Sequence, residues 1–88
     1  MIRRFSKQAN NEYLFFLERD TKKYDKINEL LDDIEINGAS KGKGKPEPLL
    51  YNLKKYWSRH INKKDRLIYR IENEILLIYS CDGHYSDK

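Results

Sequence analysis

Cysteine is nearly missing from this sequence. Cys81 stands alone, so no internal disulfide can form and no multi-cysteine metal site can be assembled. That usage fits a reducing compartment, and Cys81 itself reads as a small core residue. His60 and His84 are the only histidines, and without cysteine partners they argue against zinc. No apolar run approaches the roughly 18–20 residues of a membrane span. The opening Met1-Ile2-Arg3-Arg4-Phe5 lacks the apolar core of a signal peptide. A soluble, cytoplasmic protein with no membrane contact is therefore expected. Proline and glycine are scarce and clustered: Gly38, Gly42, Gly44, Pro46 and Pro48 share one stretch, and Gly83 is the one other breaker in the chain. Serine nucleophiles are poorly supported, because Ser58 and Ser80 lie inside predicted strands with no nucleophile elbow.

Positive charge is in excess. Eighteen lysines and arginines against 14 acids give a net charge of +4. The isoelectric point near 9.2 points to a polyanionic partner. Eighty-eight residues support one core and not two, so a single domain over 1–88 is expected, with any active site on its surface.

Apolar periodicity divides the chain. Ile2 to Phe5 reads as a short strand, followed by Ser6 as a helix cap. Ala9, Tyr13, Phe16 and Leu17 then recur with helical spacing. Asp20 or Thr21 caps a second helix carrying Tyr24, Ile27, Leu30, Leu31 and Ile34, and Asn37-Gly38 stops it. Residues 38–48 form a loop. Beyond it the period falls to two, predicting strands over 49–53, 57–61, 66–71 and 74–81. The run Ile75-Leu76-Leu77-Ile78-Tyr79 predicts a strand buried on both faces, and Trp57 is assigned to the core. The expected fold class is α+β: two N-terminal helices packed on a small twisted antiparallel sheet.

If the later strands form a meander, alternating directions deliver Glu47, His60, Arg66, His84 and Tyr85 to one rim. The loop lysines Lys41, Lys43 and Lys45 arrive at the same rim, with Lys63 and Lys64 in the turn above it. Such a set suits metal-free RNA cleavage. Glu47 can take the proton of a 2′-hydroxyl, His84 can protonate the leaving 5′-oxygen, and Arg66 can bind the charge that builds on phosphorus. Tyr85 can donate to phosphate or stack on a base. Each residue also has an ordinary use. Glu47 and His84 can be solvated surface groups, Arg66 can pair with Glu74 across a hairpin, and the lysines can belong to a flexible loop. A non-catalytic RNA-binding or ribosome-binding module and a pure protein-interaction partner both remain open on these grounds.

The string Gly42-Lys43-Gly44-Lys45-Pro46-Glu47-Pro48-Leu49 is specific, and Asn52-Leu53, Trp57-Ser58-Arg59, Arg66-Leu67-Ile68-Tyr69 and His84-Tyr85 follow it in order. With Tyr13-Leu14 and Lys26-Ile27-Asn28-Glu29-Leu30 upstream, the chain resembles YoeB toxins of the RelE superfamily along nearly its whole length. The resemblance implies a RelE-like, microbial-ribonuclease-like fold. It implies a messenger-RNA endonuclease acting in the A site of the 70S ribosome against 16S rRNA, with no metal or cofactor, and silenced by a YefM-type antitoxin. A homodimer is a further expected state. The family's general base falls on Glu47, its transition-state arginine on Arg66, its general acid on His84 and its terminal tyrosine on Tyr85. Lys41, Lys43, Lys45, Arg59, His60, Lys63 and Lys64 form the expected RNA-binding set. Three departures bear on rate and codon preference: Leu50 stands where the family commonly has lysine, His60 replaces a second arginine, and Ser86-Asp87-Lys88 extends past the tyrosine.

Overall fold

The computed structural model describes residues 1–83. Strand β1 (Ile2–Phe5) leads into helices α1 (Lys7–Arg19) and α2 (Thr21–Asn37), and then come strands β2 (Glu47–Pro48), β3 (Trp57–His60), β4 (Arg66–Glu72) and β5 (Ile75–Gly83). The sheet order is β1-β5-β4-β3-β2. From β2 to β5 the strands run antiparallel as a meander, and β1 joins β5 in parallel, so the sheet is mixed.

Local chemistry sets the helix ends. Ser6 is extended, and its hydroxyl accepts from the Ala9 amide at 2.9 Å, satisfying one of the free N–H groups at the start of α1. Asp20 is the single non-helical residue between the helices. Its amide closes α1 on the Phe16 carbonyl at 2.8 Å, while its carboxylate accepts from the Lys23 amide at 3.1 Å and opens α2. Gly38 ends α2 with φ +87°, a conformation open to glycine at little cost.

One core joins these elements. Ile27, Leu30, Leu31 and Ile34 of α2 are fully buried against Leu67, Tyr69, Leu76 and Ile78 of the sheet. Burying each such aliphatic side chain contributes roughly 1.5–3 kcal/mol. Cys81 belongs to the same cluster, and burial pushes its thiol up to about 12, as expected of an inert core residue. Outside the core, Arg3 of β1 bridges Asp32 at 2.8 Å and Glu35 at 2.6 Å, tying the parallel edge strand to α2.

Four expectations need correction. The strand predicted over 49–53 is not formed: Tyr51 takes φ +58° and Tyr51–Leu53 is a 3₁₀ turn. Pairing is confined to Glu47–Pro48, at the sheet edge where a proline is tolerated. β5 is not buried on both faces. Leu76 and Ile78 face the helices, whereas Ile75 and Leu77 are half-buried and Tyr79 is exposed. Trp57 is half-buried and packs at the margin of the core rather than inside it. Leu17 points outward from α1, 45% exposed.

Candidate active site

Successive residues of a strand point to opposite faces, so cross-strand register identifies what shares a face. Glu47 pairs with Ser58, Ser58 with Ile68, and His60 with Arg66. Glu47, Ser58, His60, Arg66 and Ile68 therefore lie on the face away from the helices, while Arg59, Leu67 and Tyr69 lie beneath them. β2 and β4 are separated by β3, and only long side chains can meet over it. Glu47 Oε1 and Arg66 Nη1 do so at 3.7 Å. The Glu47 side chain is 56% exposed and that of Arg66 28%, so both remain open to a ligand. His60 is half-buried beside Arg66.

The loop that delivers Glu47 is built around Arg59. This side chain is fully buried, and each of its five N–H groups has an acceptor. Nη1 donates to Asp33 Oδ2 at 2.6 Å and to the Lys43 carbonyl at 3.0 Å. Nη2 donates to the carbonyls of Gly38 and Lys41 at 2.9 and 2.6 Å, and Nε to the Tyr69 hydroxyl at 2.8 Å. The Tyr69 hydroxyl in turn donates to the Ala39 carbonyl at 2.6 Å. Asp33 also accepts from the Lys43 amide at 2.9 Å. The Arg59 guanidinium and that amide hold the Asp33 carboxyl below the usual carboxylate range. Gly42 packs so closely on Asp33 that a Cβ there would collide with the carboxylate. The glycines alternating with lysine are thus imposed by packing, and the Lys43 amide is engaged internally rather than offered to a phosphate.

The opposite side of the rim is held by a buried lysine. Lys23 Nζ donates to Asp65 Oδ2 at 2.7 Å and to Asp82 Oδ1 at 2.8 Å. Burial alone would lower this ammonium, but the two carboxylates more than offset that and hold it raised. Asp65 immediately precedes Arg66, and Asn62 Oδ1 accepts from the amides of Lys64 and Asp65 at 2.8 and 2.7 Å, fixing the β3–β4 turn.

The predicted residues divide accordingly. Glu47, His60 and Arg66 come together, and Lys45, His60 and Lys63 share a shallow groove with Lys26. Lys41 and Lys64 are exposed. Lys43 is exposed but bonded to Glu29 at 3.0 Å, and this bond lowers the Glu29 carboxyl. Arg59 corrects the expectation of an RNA contact: it is sealed inside the protein with all its donors used. His84 and Tyr85 lie outside the described residues. The chain leading to them ends in β5 at Gly83, the register partner of Arg66. Sequence reasoning missed Lys23 and Asp33. Lys23 precedes Ile27 by four positions on the apolar stripe of α2, where a charged residue signals a buried partner.

A guanidinium and a carboxylate side by side on an open sheet face, flanked by lysines, can hold a phosphodiester and accept a proton next to it. The comparisons bear on what such a rim belongs to. Residues 5–85 match the family model of the YoeB-like toxin of bacterial type II toxin-antitoxin system. Toxin YoeB of Escherichia coli K12 is 42% identical over 81 residues, covering 92% of this chain and 95% of that protein. The toxin in a heterotetrameric YoeB-YefM complex from Staphylococcus aureus is 46% identical with a TM-score of 0.91, covering 97% of this chain and 98% of that one. A YoeB dimer from the same organism is also 46% identical, with a TM-score of 0.92 and the same coverage. YafQ of Escherichia coli, at 21% identity and a TM-score of 0.71, shares the fold. With the match running through both the helices and the rim, this chain belongs to the YoeB-like toxins of bacterial type II toxin–antitoxin systems.

Proposed function

We propose that this toxin is a ribosome-dependent endoribonuclease that cuts messenger RNA in the A site of the 70S ribosome, next to 16S rRNA, by acid–base chemistry without a metal. The observation that carries the reading is the Glu47–Arg66 approach of 3.7 Å across β3. In this mechanism Glu47 removes the proton from the 2′-hydroxyl as its oxygen attacks phosphorus. Arg66 binds the equatorial oxygens, whose charge grows in the transition state, through two donors in a fixed fork. His84 protonates the departing 5′-oxygen, and Tyr85 contacts the phosphate or stacks on the neighbouring base. The products are a 2′,3′-cyclic phosphate and a 5′-hydroxyl. Lys41, Lys45, Lys63, Lys64 and His60 supply salt-dependent affinity for the RNA backbone, and Lys43 joins them once released from Glu29.

Action on the ribosome puts the protein in the cytoplasm, and among the described residues no helix is long and apolar enough to cross a membrane. The YoeB-YefM complex of the Staphylococcus aureus relative supports a YefM-type antitoxin as the partner, and the YoeB dimer supports a homodimer. An acidic antitoxin segment would cover the cationic rim and close it to RNA. Mapping of message ends by primer extension after brief induction tests the function. Wild-type protein should create new ends at A-site codons and Glu47→Ala should create none. Growth arrest without new ends would identify a non-catalytic binder instead.

A further inference from the structure

The open face of the sheet continues past the Glu47–Arg66 pair into a second group of cations and aromatic rings. Arg70 lies four residues along β4 from Arg66 on the same face, about 13 Å away at strand spacing. Its register partner is Leu77, and the partner of Leu77 on β1 is Arg4, which gives a cross-strand row Arg4–Leu77–Arg70. The Arg4 side chain is exposed and makes no hydrogen bond or ion pair among the described residues.

Two tyrosines flank this row. β5 uses Ile78, Tyr79 and Ser80 opposite Ile68 and Tyr69 of β4, and this bulge leaves Tyr79 unpaired and 40% exposed. The rings of Tyr79 and Tyr56 stand 5.3 Å apart at 57°, and the Arg70 guanidinium lies 5.2 Å from the Tyr56 ring centre. Arg70 Nη2 bridges Glu72 at 2.7 Å, yet its Nε is buried without any hydrogen-bond partner among the described residues. An unsatisfied donor on a charged group is costly, and a shift of the Arg70 side chain toward an incoming acceptor would relieve it. A groove lined by Arg4, Tyr56, Arg70, Leu77 and Tyr79 runs along this row.

Aromatic rings interleaved with guanidinium groups match single-stranded nucleic acid, whose bases stack on the rings while phosphates take the charge. A second copy of the chain fits less well. A two-fold contact through this face would appose two guanidinium pairs against one acid each, in a protein of net charge +4. Resting on the ribonuclease reading of the rim, we propose that Arg4, Tyr56, Arg70 and Tyr79 form a second subsite for the same RNA strand. A base a few nucleotides from the scissile phosphate stacks on Tyr79, and its phosphate bonds Arg4 and the exposed part of the Arg70 guanidinium. The subsite sets the register in which the strand crosses the Glu47–Arg66 pair.

Fluorescence anisotropy with a short single-stranded RNA, 2′-O-methylated so that it cannot be cut, tests the subsite. Tyr79→Ala and Arg70→Ala should each weaken binding about tenfold, while Tyr79→Phe keeps the stacking ring and the affinity. Arg70→Ala should also reduce the slope of affinity against salt by about one counterion. Arg4→Glu, at an exposed site, keeps the test decisive should the Arg70 variant fail to fold. If the wild type cleaves message on ribosomes and these variants bind RNA undiminished, the subsite is wrong and the nuclease stands. If the variants lose RNA affinity but the wild type cuts nothing, the subsite stands and the nuclease reading falls. A change of oligomeric state in sedimentation with RNA affinity intact would make the face a contact between copies and overturn the proposal.

Discussion

Glu47 and Arg66 sit on strands that are not neighbours, yet their side chains approach to 3.7 Å over β3. The backbones are two inter-strand spacings apart, roughly 9.5 Å, so a shorter residue at either position would break the contact. What looks like a surface ion pair is worth little to stability, on the order of 0–1 kcal/mol. Its use lies in presenting an acceptor and a fork of donors to one phosphodiester.

Arg66→Lys keeps the charge and loses the planar fork. Cleavage of ribosome-bound message should fall about 100-fold, because a point charge cannot follow two equatorial oxygens together. Thermal stability should change by less than about 0.5 kcal/mol, as expected at a half-exposed site. Quench-flow cleavage and a melting curve check both statements.

Arg59→Met removes the hub of the loop and leaves the largely buried Asp33 carboxylate of α2 without its cation. Breaking a buried pair in this way costs about 3–5 kcal/mol, and Tm should fall by more than about 10 °C. The Asp33 carboxyl has a folded pKa below its ordinary value of 3.8. Its stabilisation is therefore present in full above that value and is lost as pH falls through the lower folded one. Denaturant titrations below pH 4 should show a shallower fall in stability for Asp33→Asn than for the wild type.

Much of this was legible in the sequence, and the illegible parts share a cause. The 3.6-residue stripe of Ile27, Leu30, Leu31 and Ile34 and the caps Ser6 and Asp20 are local signals, and they gave α2 and the turn into it. The grouping of Glu47, His60 and Arg66 followed from strand alternation, which survives ignorance of the loops. The parallel pairing of β1 was hidden because Ile2–Phe5 carries no register information about a strand more than 70 residues away. The bulge at Tyr79 shifts phase without any glycine to mark it. Arg59 was readable: the phase that turns Trp57 toward the helices turns Arg59 the same way. Its charge and its place in the Trp57-Ser58-Arg59 motif pointed to an RNA contact instead.

Lys23→Met should loosen both flanks of the rim, since Asp65 precedes Arg66 and Asp82 lies two residues before His84. The loss should be about 2–3 kcal/mol, less than for a fully buried pair because Asp82 is 37% exposed. A positioning role predicts that the cleavage rate falls while affinity for uncleavable RNA holds. Equal loss in both would make Lys23 merely structural.

Glu74→Gly should stabilise the protein. Asn73 and Glu74 join β4 to β5 with φ of +52° and +63°, a hairpin geometry that costs a glutamate about 1 kcal/mol more than a glycine. Tm should rise by roughly 4–8 °C with cleavage unchanged, as differential scanning calorimetry can establish.

The most direct test is single-turnover cleavage on programmed ribosomes with the product ends identified, comparing wild type with Glu47→Gln. If Glu47 takes the 2′-hydroxyl proton, the wild type leaves 2′,3′-cyclic phosphate and 5′-hydroxyl ends, and the variant is slower by at least about 100-fold with its fold intact. Ends bearing 3′-hydroxyl and 5′-phosphate, or an undiminished rate in the variant, would contradict the account.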